Sequence, residues 1–157
     1  MSVAARPCTV RVLPDWVDYN GHMGDFAYGI VFSRSVTALM EEIGLDESYR
    51  AASQATLYTL EMRIGYQREC HEGDALSVST RVMAADTKRM HLYQEMLDER
   101  GERLAWCEQV LLHVFRGDNT PRAAPFPAVA AARLAEREAA QRAVPRPPWL
   151  DRRTGLG

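Results

Sequence analysis

The sequence predicts an α+β fold in which one curved antiparallel sheet wraps a single long helix, with an additional helix near the C-terminal end. Three observations carry the prediction. Residues 24–43 form an apolar segment with helical spacing, long enough for about five turns. Four later stretches between residues 58 and 115 are strand-like and separated only by short turns. A helix this apolar needs cover on most sides, and one curved sheet around it supplies that cover.

Each element follows in order. Residues 9–13 are a short β-branched run ended by Pro14, an opening strand. The segment "PDWVDYNGHMGDFAY", 14–28, leads into the helix. There Phe26, Ala27, Ile30, Val31, Ala38, Leu39 and Met40 recur at helical spacing until Gly44 stops it. Residues 46–55 are polar and small, an irregular link with a short helical turn. Tyr58, Leu60, Met62, Ile64 and Tyr66 then alternate with Thr59, Glu61, Arg63, Gly65 and Gln67, the pattern of a half-buried strand. The turns "HEGD", "ADTKR" and "DERGER" separate the next three strands, giving an antiparallel meander. A Pro/Ala linker, a helix over 128–142 and a loosely held end complete the chain. The division expected is a main domain over 1–118 and an appended segment over 119–157. One sheet around one helix leaves strand edges and a helix flank open, so association through an edge is expected, as a homodimer or a dimer of dimers.

Composition narrows the function. A formal net charge of −2 gives no basic footprint for nucleic acid. Neither a signal peptide nor a membrane span is legible, and Cys8, Cys70 and Cys107 show no C-x-x-C spacing, so a cytoplasmic protein with reduced thiols is expected. His22, His71, His91 and His113 are scattered without ligand-set spacing, so no metal site is expected.

The segment 14–28 is far richer than a turn requires: three carboxylates, a histidine, two glycines and several rings. A carboxylate can act as general base or nucleophile, and backbone N–H groups at a helix N-terminus can hold an oxyanion. Asp18 supplies the first, beside its reading as an Asx-turn residue. The backbone N–H groups of Gly24, Asp25 and Phe26, at the helix start, supply the second. Asp15 is the rival carboxylate. His22 is a candidate to orient the carboxylate or the loop, alongside a purely structural role. Asp25 suits the helix macrodipole but would oppose an oxyanion if turned inward.

The pattern D-x-x-G-H (Asp18, Gly21, His22), followed by Tyr28 in the helix, resembles the hotdog-fold thioesterases of the 4-hydroxybenzoyl-CoA thioesterase type. The stretches "PDWVDYNGHM", "YTLEMRIGYQRE", "DTKRMHLYQEM" and "EQVLLHV" resemble, more specifically, the betainyl-CoA thioesterases of carnitine breakdown, and the resemblance spans roughly residues 9–116. It implies hydrolysis of a short acyl-CoA, most specifically betainyl-CoA to betaine, with Asp18 at the catalytic aspartate position and no cofactor beyond the CoA of the substrate. It also implies Lys88 and Arg89 as contacts for the CoA phosphates and Glu61 as a residue that approaches a partner's site. A trimethylammonium acyl group would favour aromatic faces, which makes Trp16, Tyr19 and Tyr58 candidate substrate contacts beside their reading as packing residues. Hydrolysis of another short or aromatic acyl-CoA, and a non-catalytic CoA-binding module, remain the alternatives.

Overall fold

The computed structural model describes residues 6–156. The chain runs β1 (Cys8–Arg11), a 3-10 turn (Pro14–Trp16), α1 (Asp25–Ile43), α2 (Glu47–Ser53), β2 (Ala55–Tyr66), β3 (Ala75–Ala85), β4 (Arg89–Leu97), β5 (Arg103–Phe115), β6 (Arg122–Ala123), α3 (Ala128–Gln141) and a final 3-10 turn (Pro148–Asp151). All strand pairs are antiparallel, in the order β1-β3-β4-β5-β2, and β6 extends β4's side of β5. This is the hotdog architecture, a curved sheet around one long helix.

Helix α1 ends where Gly44, at φ +90°, takes the left-handed conformation that a side chain resists. It buries Ala27, Val31, Phe32, Leu39 and Ile43 against the inner face of the sheet. One core cluster surrounds Phe32 and Met96, and a second surrounds Leu39, Leu92 and Leu134. Polar groups between them are satisfied: Gln109 donates to Gln94, which donates to the Phe32 carbonyl, and Ser35 meets Thr80 at 2.8 Å. The opposite flank of α1 leaves Phe26 and Ile30 exposed, and the outer edge of β2 pairs with no strand among the described residues.

Two expectations change. The alternation through β2 does not put Tyr58 and Met62 on one face, because a bulge at Leu60 inserts a residue between Thr59 and Glu61. Residues up to Thr59 and residues from Glu61 on therefore follow opposite phases. Met62 and Ile64 pack on the inner core, while Tyr58 and Glu61 lie opposite Leu112 and Val110 on the outer face.

The C-terminal segment packs against the rest, including the stretch after α3 expected to be loosely held. Phe126, Ala130 and Leu134 complete the second core cluster. Buried His113 fastens the linker: its Nδ1 lies 2.9 Å from the Ala124 carbonyl, which can only accept, so Nε2 accepts from the Tyr49 hydroxyl. Beyond α3 the chain crosses the outer face, where Leu150 and Trp149 pack with Tyr93 and Trp106. The reason is exposed apolar area: strands β4 and β5 present two large rings outward, and burying them favours holding the tail down.

Candidate active site

The segment ahead of α1 folds back on itself through its own backbone. The N–H of Asp18 donates to the His22 carbonyl at 3.1 Å, and Val17 forms an isolated antiparallel bridge with Met23. At the tip, Gly21 donates to the Asp18 carbonyl and accepts the positive φ of +82° that the reversal requires. The Met23 N–H reaches the Cys70 carbonyl at 2.8 Å and ties the loop to the chain after β2.

Asp18 is held on both sides. Its Oδ1 accepts from the Asn20 N–H at 2.8 Å, an Asx turn, while Oδ2 turns toward the start of α1. Gly24 is the N-cap there; a Cβ on it would lie 3.3 Å from Asp18 Oδ2 and would drive into the Phe26 ring. The carboxylate thus sits against the helix N-terminus because residue 24 has no side chain. The backbone turn engages Oδ1, while Oδ2 accepts from the Asn20 side-chain amide at 3.4 Å and faces the helix start.

Among the three N–H groups expected to hold an oxyanion, Gly24 is already engaged, donating to the Trp16 carbonyl at 2.8 Å. No acceptor among the described residues takes the N–H of Asp25 or Phe26, the first-turn donors that a helix leaves free. Asp18, Tyr19, His22, Asp25, Tyr66 and Glu69 line a cleft of about 510 Å³ beside the helix start.

Tyr66 and Glu69 were not singled out by the sequence. Tyr66 closes the cleft wall, its hydroxyl donating to the Asp25 carbonyl at 3.1 Å and its ring packing edge-on to Tyr28 at 5.0 Å. Glu69 lies 3.6 Å from His22 Nε2. The only hint was the charge density of "QRECHEGD", which reads equally as a solvated turn. Burial and the Cys70 thiol raise the Tyr28 hydroxyl well above its ordinary pKa, and burial also raises the Cys70 thiol, so neither side chain is a ready nucleophile.

Other expectations are corrected by placement. His22 does not orient the Asp18 carboxylate with its ring, whose nitrogens face the Met23 carbonyl and Glu69; its own carbonyl positions Asp18 instead. Asp15 is exposed in the 3-10 turn and does not line the cleft. Trp16 is buried in the core with the Arg34 guanidinium 5.1 Å above it, so it shapes the loop and is shielded from substrate. Tyr19 stands at the loop tip, 96% exposed, on the cleft rim. Tyr58 lies eight residues along β2 from Tyr66, roughly 25 Å away on the outer face, and exposed Glu61 shares that face. Lys88 and Arg89 sit at the far end of β4 from the cleft. Asp86 accepts from the N–H groups of Lys88 and Arg89 and from the Arg89 guanidinium, bonds that hold the Asp86 carboxyl down at about 2. Within one chain, neither basic side chain reaches the Asp18 cleft.

Residues 12–134 match the thioesterase-like superfamily. The chain belongs to that superfamily. It is 43% identical over 157 residues to the betainyl-CoA thioesterase of Pseudomonas aeruginosa, covering 99% of this chain and 98% of that one. Over 110 residues it is 44% identical to an L-carnitine dehydrogenase/betainyl-CoA thioesterase of Agrobacterium fabrum, covering 70% of this chain and 22% of that longer protein. Among solved structures, a Staphylococcus aureus protein in complex with CoA superposes with a TM-score of 0.88 at 27% identity, over 98% of this chain and 96% of that one. A Pseudomonas putida protein described as a candidate thioesterase gives 0.82 at 34% identity, over 100% and 99%. This member of the thioesterase-like superfamily is thus an acyl-CoA thioesterase. The described residues contain no cluster of three or more His, Cys, Asp or Glu side chains arranged to hold a metal, and no helix long and apolar enough to cross a membrane.

Proposed function

We propose that this thioesterase hydrolyses betainyl-CoA to betaine and CoA in the Asp18 cleft. The carrying observation is Asp18 Oδ2, engaged by the Asn20 side-chain amide at 3.4 Å, at the start of α1, where the N–H groups of Asp25 and Phe26 have no acceptor among the described residues. The thioester carbonyl oxygen points at those N–H groups, where the helix dipole and two donors stabilise the charge that develops on it. Asp18 takes the proton of an attacking water, or attacks the carbonyl carbon itself and is released by water in a second step. In either route the C–S bond breaks and the departing CoA thiolate takes up a proton.

Preference for a cationic acyl group is supported by the 43% identical Pseudomonas aeruginosa relative and by the cleft lining. Asp18, Asp25 and Glu69 outnumber Arg68, which is paired with Glu102, in that lining, and Tyr19 and Tyr66 offer ring faces, each worth on the order of 0.5–2 kcal/mol against a quaternary ammonium. These residues replace Trp16 and Tyr58 as the proposed cage. The enzyme works without metal or cofactor, in the cytoplasm, as a homodimer or dimer of dimers that covers the β2 edge and the Phe26–Ile30 flank of α1.

The test is release of free thiol from a panel of acyl-CoA esters that includes betainyl-CoA and neutral aliphatic and aromatic acyl groups, with and without a chelator. Betainyl-CoA should be turned over with the highest kcat/KM, and EDTA should leave the rate unchanged. Preference for a neutral acyl group would remove the cage, and absence of turnover on every ester would overturn the catalytic reading.

A further inference from the structure

The C-terminal segment builds a second concavity of about 410 Å³ where it crosses the outer face of β2 and β5. Its walls include Arg63, Trp106, Trp149, Arg152, Arg153 and Thr154, and no carboxylate lines it. Tyr66 and Gln67, at the end of β2, line this concavity and the Asp18 cleft alike. The two spaces therefore meet around one strand end.

Their electrostatics are opposite. Asp18, Asp25 and Glu69 line the cleft with a single guanidinium, that of Arg68, which is paired with Glu102, whereas three guanidinium groups and no carboxylate line the second space. Of the three, Arg63 is paired with Glu108 at 2.7 Å and also donates to the Leu150 and Arg152 carbonyls, so it fastens the segment. Arg152 and Arg153 are exposed and have no carboxylate partner among the described residues, so their charge is available. The indole of Trp106 lies directly over Gly65, where a Cβ would collide with the ring, and Trp149 is fixed by its Nε1–H to the Tyr93 hydroxyl at 3.2 Å. The two indoles already carry guanidinium groups, Arg63 5.1 Å over Trp106 and Arg103 4.0 Å over Trp149, so they form a fixed wall, and the two free guanidinium groups beside it are suited to phosphate oxygens.

We propose that this concavity binds the 3′-phosphoadenosine diphosphate end of the acyl-CoA, with Arg152 and Arg153 on the phosphates. The assignment rests on the reading of the Asp18 cleft as the hydrolytic site for an acyl-CoA. It matches the polarity of the proposed substrate, which is cationic at the acyl end and strongly anionic at the nucleotide end. It also gives the C-terminal segment a task that Lys88 and Arg89, at the far end of β4, do not perform within the chain.

Two measurements test it. First, kcat/KM is compared for betainyl-CoA and betainyl-pantetheine, which lacks the nucleotide. The ratio of the two should fall about tenfold in the double variant Arg152→Ala/Arg153→Ala, carried by KM, as expected for loss of charge-assisted phosphate contacts. An unchanged ratio overturns the proposal, even if both rates fall because the segment has loosened. Second, calorimetry follows free 3′-phosphoadenosine 5′-diphosphate, with Arg153→Lys as a variant that keeps the charge. The wild type should bind, Arg153→Lys should bind nearly as well, and the double variant should bind about tenfold more weakly. Equal binding by wild type and double variant, or no binding by the wild type, overturns the site. This second measurement requires no turnover: nucleotide binding through the arginines with no hydrolysis of any acyl-CoA would uphold the site and sink the thioesterase reading.

Discussion

The loop ahead of α1 and the segment after α3 both flank the end of β2, yet they are held by different means. Backbone hydrogen bonds fix the loop: Asp18 to His22, Gly21 to Asp18, Met23 to Cys70 and Gly24 to Trp16. Side chains fix the tail, through Arg63 and Arg81 on its carbonyls and through Leu150 and Trp149 in the outer cluster. Backbone bonds place a carboxylate to within tenths of an ångström, which chemistry requires. Side-chain contacts hold a surface at lower precision, which suffices for affinity. A substitution in the loop should therefore change rate more than stability, and one in the tail the reverse.

The largest effect belongs to Asp18→Asn. The amide retains the Asx-turn acceptor for the Asn20 N–H but is neither base nor nucleophile, so kcat should fall about 10²–10⁴-fold. Melting temperature should stay near wild type, and a large drop in stability together with activity would erase the contrast with the tail. Next comes Leu150→Ala, which empties a buried position and should cost about 2–3 kcal/mol in urea unfolding. Its rate loss should appear in KM; a loss confined to kcat would mean that the tail shapes the chemical site after all.

Gly24→Ala sharpens the comparison from the loop side. The added methyl meets the Phe26 ring and lies 3.3 Å from Asp18 Oδ2, so kcat should drop about tenfold with little change in KM. A crystal structure of the variant should show the carboxylate moved away from the helix start. The smallest effect is expected for Glu108→Gln on the outer face. Burial alone would raise the Glu108 carboxyl, but hydrogen bonds from Arg63 and His91 outweigh it and hold the pKa below the ordinary 4.5. Its stabilisation is full above the unfolded value and is lost as pH falls through the lower folded value. Urea midpoints between pH 3 and 6 should therefore lose part of their acid dependence in the variant. Identical slopes for the two proteins would show that the pair contributes nothing to acid stability.

Much of this was legible in the chain itself. The apolar run of α1, Gly44 as its stop, and the four strands between short turns are local patterns, set by propensity and periodicity, and together they define the hotdog architecture. The chemical density of "PDWVDYNGHMGDFAY" likewise marked the loop before any fold was in view, because a plain turn does not need those residues. Neighbours in sequence stay neighbours in space, so Asp18 and the start of α1 could be associated directly.

Tertiary structure decided what periodicity cannot carry. The bulge at Leu60 splits one alternating strand between two faces, sending Tyr58 outward and away from the face that Met62 and Ile64 share. Trp16 and Tyr19, three residues apart, have opposite fates because one packs under Arg34 and the other caps the turn. Tyr66 and Glu69 enter the site only because Met23 binds the Cys70 backbone across the intervening chain. Arg152 and Arg153 come beside β2 because Arg63, some ninety residues earlier, holds the tail down. Long-range contacts of this kind depend on which faces meet and on the burial gained there, and neither is written in local spacing.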